Sequence, residues 1–83
     1  MQVTKPTVAE RIEAGDEELL VVLKDREVRI PWESCSHRLA AATAEERRCA
    51  ELSPGGYGVH WPMIDEDLSI SGLVRDADNE RPD

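Results

Sequence analysis

The side chains of this chain that could do chemistry are few. They are two cysteines (Cys35 and Cys49), two histidines (His37 and His60) and one acidic run, Asp65-Glu66-Asp67. A thiol attacks only as its thiolate, which needs a base or a cation beside it. Cys35 and His37 stand two residues apart, a spacing that sends them to different faces of a helix. Pairing Cys35 with His60 would need the tertiary fold to bring them together, and no third group completes a nucleophile, base and orienting set. The cysteines therefore read as structural thiols, and no catalytic residue is assigned. His60 and the three acids have metal-ligand chemistry without metal-ligand spacing. Zinc asks for three or four convergent ligands, and a calcium loop asks for alternating oxygens around a bending glycine. Paired carboxylates also suggest glycoside chemistry, but 83 residues leave little room for a substrate cleft. No metal and no cofactor is expected. What remains for His60, Asp65, Glu66 and Asp67 is contact, as a polar surface that binds a partner.

One small domain must position these residues, because 83 residues have no room for two. A hydrophobic content of 40% suffices for a core, and the formal net charge of −8 opposes attraction to phosphate backbones. No apolar run approaches the ~18 residues of a membrane span, and the N-terminus lacks a signal-peptide core. Two cysteines cannot staple a disulfide scaffold, so the expected location is cytoplasmic, with reduced thiols and no membrane association.

Residues 1–7 are polar, contain Pro6 and are expected to be flexible. Alternation over residues 8–14 predicts a half-buried strand, and Gly15-Asp16 a turn. The aliphatic run at 18–23 predicts a central strand covered on both faces. A hairpin through Lys24, Asp25 and Arg26 leads to a strand with Val28 and Ile30 inward; Pro31 ends it and Trp32 closes the core. Ser34 can cap a helix that places Cys35, Leu39 and Ala42 on one face, and Thr43-Ala44-Glu45-Glu46 has the capping-box pattern. Cys49 and Leu52 would share the buried side of that second helix, which Ser53-Pro54-Gly55-Gly56 ends. Tyr57, Val59 and Trp61 alternate inward on a fourth strand, leaving His60 on the far face. Leu68, Ile70, Leu73 and Val74 read as a short helix capped by Asp67, with a strand over 68–70 as the alternative. The expected fold is α+β: a small antiparallel sheet of about four strands packed with one or two short helices, over residues 8–75. Residues 76–83 are expected to form a disordered acidic tail.

Three stretches carry a resemblance. They are Pro31-Trp32-Glu33-Ser34-Cys35-Ser36-His37-Arg38-Leu39 with Ala42-Thr43-Ala44-Glu45-Glu46-Arg47, then Leu52-Ser53-Pro54-Gly55-Gly56-Tyr57-Gly58-Val59-His60-Trp61-Pro62, and Asp65-Glu66-Asp67-Leu68-Ser69-Ile70-Ser71-Gly72-Leu73. In this order the chain resembles the bacterial domain-of-unknown-function family 2442 over roughly residues 8–75. That family implies a small α+β domain and no established reaction. Its members usually have Asp-Gly in the second hairpin where this chain has Asp25-Arg26, and often proline where this chain has His37. If Arg26 keeps the glycine's geometry, it bears a strain of about 1 kcal/mol. The resemblance also implies an antitoxin-like role beside another small protein, and some members continue into a helix-turn-helix domain. These 83 residues hold no such domain, so that DNA-binding role does not carry over.

The expected function is therefore a protein–protein interaction module, the antitoxin-like or regulatory member of a two-gene system. It would mask a partner protein, such as a small toxin-like protein encoded nearby. Residues 65–83 hold 7 acids against 2 bases, a net of −5, and would steer a basic partner. An enzyme is not expected, nor is direct DNA binding. The alternatives are a homodimeric DNA-associated regulator, whose basic stripe would have to be Arg38, Arg47 and Arg48, and, more remotely, a small enzyme using Cys and His.

Overall fold

Alternation and aliphatic runs in the first third of the chain build one sheet. The computed structural model describes residues 7–79. The expected flexible segment, save Thr7, and residues 80–83 lie outside them. Strands β1 (Arg11–Ala14), β2 (Glu18–Val22) and β3 (Glu27–Pro31) form an antiparallel sheet in the order β1-β2-β3. Register sets Ile12 against Val21, Leu19 against Ile30 and Val21 against Val28. Leu19, Val21, Val28 and Ile30 are buried, as alternation in β3 requires. β2 is central, and its other face is flanked by charged residues of β1 and β3. There Leu20 and Val22 have Arg11, Glu13, Glu27 and Arg29 as cross-strand neighbours, and Arg29 pairs with Glu18 at 2.9 Å. Val22 is still buried, because the aliphatic stems of charged side chains cover apolar surface while their heads stay in water.

The hairpin between β2 and β3 closes with Leu23 N–H donating to the Arg26 carbonyl at 2.8 Å. Asp65 is the only non-glycine among the described residues with positive φ. Arg26 therefore does not keep the geometry a glycine would favour, and no strain is stored there. Its guanidinium instead forks onto both carboxylate oxygens of Asp78, at 3.1 and 3.0 Å. That fork, reinforced by the charge of Asp78, holds the Arg26 pKa above its ordinary value.

The helix expected from Ser34 breaks at Ser36, whose backbone is extended (φ −171°, ψ 163°), giving α1 (Trp32–Cys35) and α2 (His37–Ala40). Ser36, not Ser34, is a cap: its Oγ accepts from Leu39 N–H at 3.1 Å. α3 (Ala44–Arg48) begins with the expected capping box. Thr43 Oγ1 accepts from Glu46 N–H at 3.1 Å, and Glu46 Oε1 accepts from Thr43 N–H at 2.9 Å. The helix ends after five residues. Cys49 is consequently exposed and Leu52 half-buried, so the buried face expected for the pair does not form.

The released chain pairs as β4 (Glu51–Leu52) with β5 (Gly58–Trp61), and β6 (Glu66–Ser69) completes a second antiparallel sheet. Six strands in two sheets thus replace the expected four in one. The fold is α+β. α4 (Ile70–Asn79) follows, capped by Ser69 Oγ, which accepts from Gly72 N–H at 3.0 Å, rather than by Asp67. Ile70, Leu73 and Val74 are buried and Ala77 packs against the same cluster, the spacing of one helix face. That face carries the helix through residues 76–79, so the tail boundary expected after residue 75 falls inside it.

Both sheets and α4 share one core. At its centre Trp32 and Trp61 meet edge to face, with centroids 6.3 Å apart and planes at 82°. Each indole N–H has a partner: Trp32 donates to Gly15 O at 3.0 Å and Trp61 to Arg47 O at 3.2 Å. Trp61→Ala should lower unfolding stability by about 3–5 kcal/mol in a denaturant titration. Arg26→Gly should lower the midpoint, more so at low salt, because it removes the fork to Asp78 and adds backbone entropy.

Candidate functional site

Alternation along β5 sends Val59 and Trp61 into the core and leaves Gly58 and His60 on the outer face. The register adds the other outward residues: Ser69 opposite Gly58, and Asp67 and Glu51 on either side of His60. His60 Nδ1 lies 2.8 Å from Asp67 Oδ1. An ionised carboxylate only accepts, so this contact places a proton on Nδ1.

Beside this pair lies a depression of about 370 Å³, lined by Ser53, Tyr57, Gly58, His60, Asp67 and Ser69 among others. Gly58 opens it by having no side chain; a Cβ there would stand 3.3 Å from the Leu68 carbonyl oxygen and 3.8 Å from Ser53 Oγ. Ser53 clasps the same glycine, its Oγ accepting from Gly58 N–H at 2.9 Å and its own N–H donating to Gly58 O at 2.8 Å. The hydroxyl oxygens of Ser53 and Ser69 both accept backbone N–H groups, and neither serine is hydrogen-bonded to His60. The histidine–aspartate pair is thus not set against a nucleophile in the depression.

Tyr57 forms the rim. It was expected inward with Val59 and Trp61, but it is 54% exposed. The strand begins one residue later, and Tyr57 itself is helical (φ −86°, ψ −25°), so parity with Val59 is lost. The preceding glycines cause this. Gly55 and Gly56 have φ of 83° and 78°, and Gly56 is pressed on Ala9, whose N–H donates to its carbonyl at 2.8 Å. A Cβ on Gly56 would fall 2.1 Å from Ala9 O, and one on Gly55 2.7 Å from the Tyr57 ring.

Of the four candidate contact residues, the fold joins two. His60 and Asp67 pair on the outer face. Glu66 is the adjacent position in β6, opposite Trp61 and half-buried, so alternation turns it away from Asp67. Asp65 occupies the hairpin turn with φ 53°, a conformation aspartate tolerates better than most residues. Its carbonyl and that of Ile64 accept from Arg38 at 3.1 and 3.0 Å. Sequence reasoning missed Glu51, Ser53, Tyr57, Gly58 and Ser69 as members of this face. The signal available was a glycine at outward parity between Tyr57 and His60.

The other candidates lie apart from this face. His37 opens α2 on the surface, and the break at Ser36 separates it from Cys35, whose Sγ is 3.9 Å from Ile30 O. Cys35 and Cys49 are not joined in a disulfide. Arg47 donates to Leu39 O and Ala40 O, both at 2.9 Å, so Arg38 and Arg47 are bound to backbone carbonyls. Among the described residues no three His, Cys, Asp or Glu side chains are grouped to hold a metal ion, and no helix is long and apolar enough to cross a membrane.

The comparisons agree with this architecture. The family described as "Protein of unknown function (DUF2442)" matches residues 9–79. A crystal structure of a protein of unknown function from Rhodospirillum rubrum ATCC 11170 superposes with a TM-score of 0.75, covering 86% of this chain and 88% of that one at 24% identity. That likeness shows the fold. No curated protein matches the chain.

The placement of the aromatic residues can be checked directly. Tyr57→Ala should leave stability within about 0.5 kcal/mol of wild type, as for a surface residue. Gly56→Ala should sharply lower the denaturant midpoint, since its Cβ has no space and its φ is strained.

Proposed function

The chain belongs to the DUF2442 family, and from the outer face of its second sheet we propose that it is a protein–protein interaction module, not an enzyme. The observation that carries this reading is Tyr57, a large aromatic ring standing more than half exposed beside an open depression. Aromatic rings at such rims supply contact area at low entropic cost and are frequent anchors of binding energy. The module acts by covering a partner's surface, as the antitoxin-like or regulatory member of a two-gene pair in the cytoplasm. The net charge of −8 selects for a basic partner and speeds encounter. Against the DNA-associated alternative stand that charge and the engagement of Arg38 and Arg47 with backbone carbonyls.

The test uses the affinity-tagged chain in lysate of its native host. Wild type should capture a basic protein that Tyr57→Ala loses while remaining folded, and association of the purified pair should slow as salt rises. Capture of the same proteins by both forms, or retention of duplex DNA by the purified chain at physiological salt, would overturn the reading.

A further inference from the structure

We infer that the depression floored by Gly58 is an arginine-binding subsite, taking a guanidinium from a basic partner segment between the Tyr57 ring and the Asp67 carboxylate. This deepens the interaction reading by naming the side chain the surface accepts. Three features of the face converge on that chemistry. The first is shape: about 370 Å³ is at the small end of ligand sites and suits one long side chain rather than a cofactor. Gly58 has no Cβ to occupy its floor, and Tyr57 and His60 line it as well.

The second is charge. Asp67 is 75% exposed at its side chain, and His60 engages its Oδ1 alone, so the carboxylate can accept further N–H donors. Glu51, across the sheet from His60, adds a second carboxylate to the same face. An anionic ligand in the depression would meet the Asp67 carboxylate that lines it and is disfavoured. The third is the kind of acceptors present. Ser53 Oγ and Ser69 Oγ each use one lone pair on a backbone N–H and keep another. A guanidinium presents five donors and no acceptor in a plane that stacks on an aromatic face, and it sheds water more readily than an ammonium. Arginine therefore fits this set of ring, carboxylate and hydroxyl oxygens better than lysine does.

The experiment titrates the 15N-labelled chain with N-acetyl-arginine amide and, separately, with N-acetyl-citrulline amide, which has nearly the same shape without the charge. The arginine probe should shift the backbone amides of Tyr57, Gly58, His60 and Ser69 saturably, with a Kd on the order of 1–10 mM. Citrulline should bind at least about tenfold more weakly. Tyr57→Leu and Asp67→Asn, both at exposed positions, should each weaken arginine binding several-fold with the rest of the spectrum unchanged. Equal binding of the two probes, shifts centred elsewhere, or no saturable shift would overturn the subsite. Because the probe is a free amino-acid derivative, the result is independent of any captured protein. Tyr57-dependent capture without arginine binding removes the subsite alone, whereas arginine binding without capture removes the masking role alone.

Discussion

Arg47 is held at both of its ends. Its guanidinium donates to the carbonyls of Leu39 and Ala40 and lies 5.5 Å from the centroid of the Trp32 ring, while its own carbonyl accepts the indole N–H of Trp61. The three helices between the sheets have four, four and five residues, far below the length at which a helix persists alone in water. They survive because their ends are satisfied from outside. Ser36 and Thr43 cap two starts, and Arg47 donates to the Leu39 and Ala40 carbonyls at the end of α2. The same residue ties a tryptophan that begins α1 to a tryptophan that ends β5. The edge-to-face contact of those rings is where the first sheet, the helices and the second sheet converge.

That arrangement explains which parts of the fold were legible in the sequence. The inward residues of β3, the capping box at Thr43 and the burial of Trp32 and Trp61 follow from local patterns that tertiary structure did not override. The second sheet was not legible, because β4 has two residues and its pairing depends on α3 stopping at Arg48. Nothing in Glu51-Leu52 alone marks a strand. The break at Ser36 was hidden for a similar reason: Cys35, Leu39 and Ala42 keep a helical spacing although one residue between them is extended. Arg26 was misjudged because a comparison of turn residues considers only the turn. Its partner, Asp78, lies 52 residues away in a helix whose end was assigned to the tail.

The outer face of the second sheet was legible in half. The pairing of His60 with Asp67 requires only that β5 be followed by an antiparallel β6 in the observed register, and both residues were singled out. Treating the three acids as one surface failed, since a strand separates neighbours onto opposite faces. Tyr57 departs furthest from its expected inward position. Its parity with Val59 and Trp61 was correct arithmetic, but two consecutive glycines with positive φ reset the chain direction just before it.

The distribution of polar groups separates what stabilises this domain from what it can offer a partner. No polar or charged side chain is buried among the described residues. Arg38 and Arg47 are spent on backbone carbonyls, and Arg26 and Arg29 on carboxylates within the chain. Much of the positive charge is thus consumed in holding the fold, while among the described residues no arginine pairs with Asp67 or Glu51 on the outer face. The excess of acid over base is therefore local as well as global at this face. A charge pattern that leaves Asp67 and Glu51 exposed on the outer face adds little to the stability of the isolated domain. On the proposed reading, it is this pattern that a cation supplied from outside would complement.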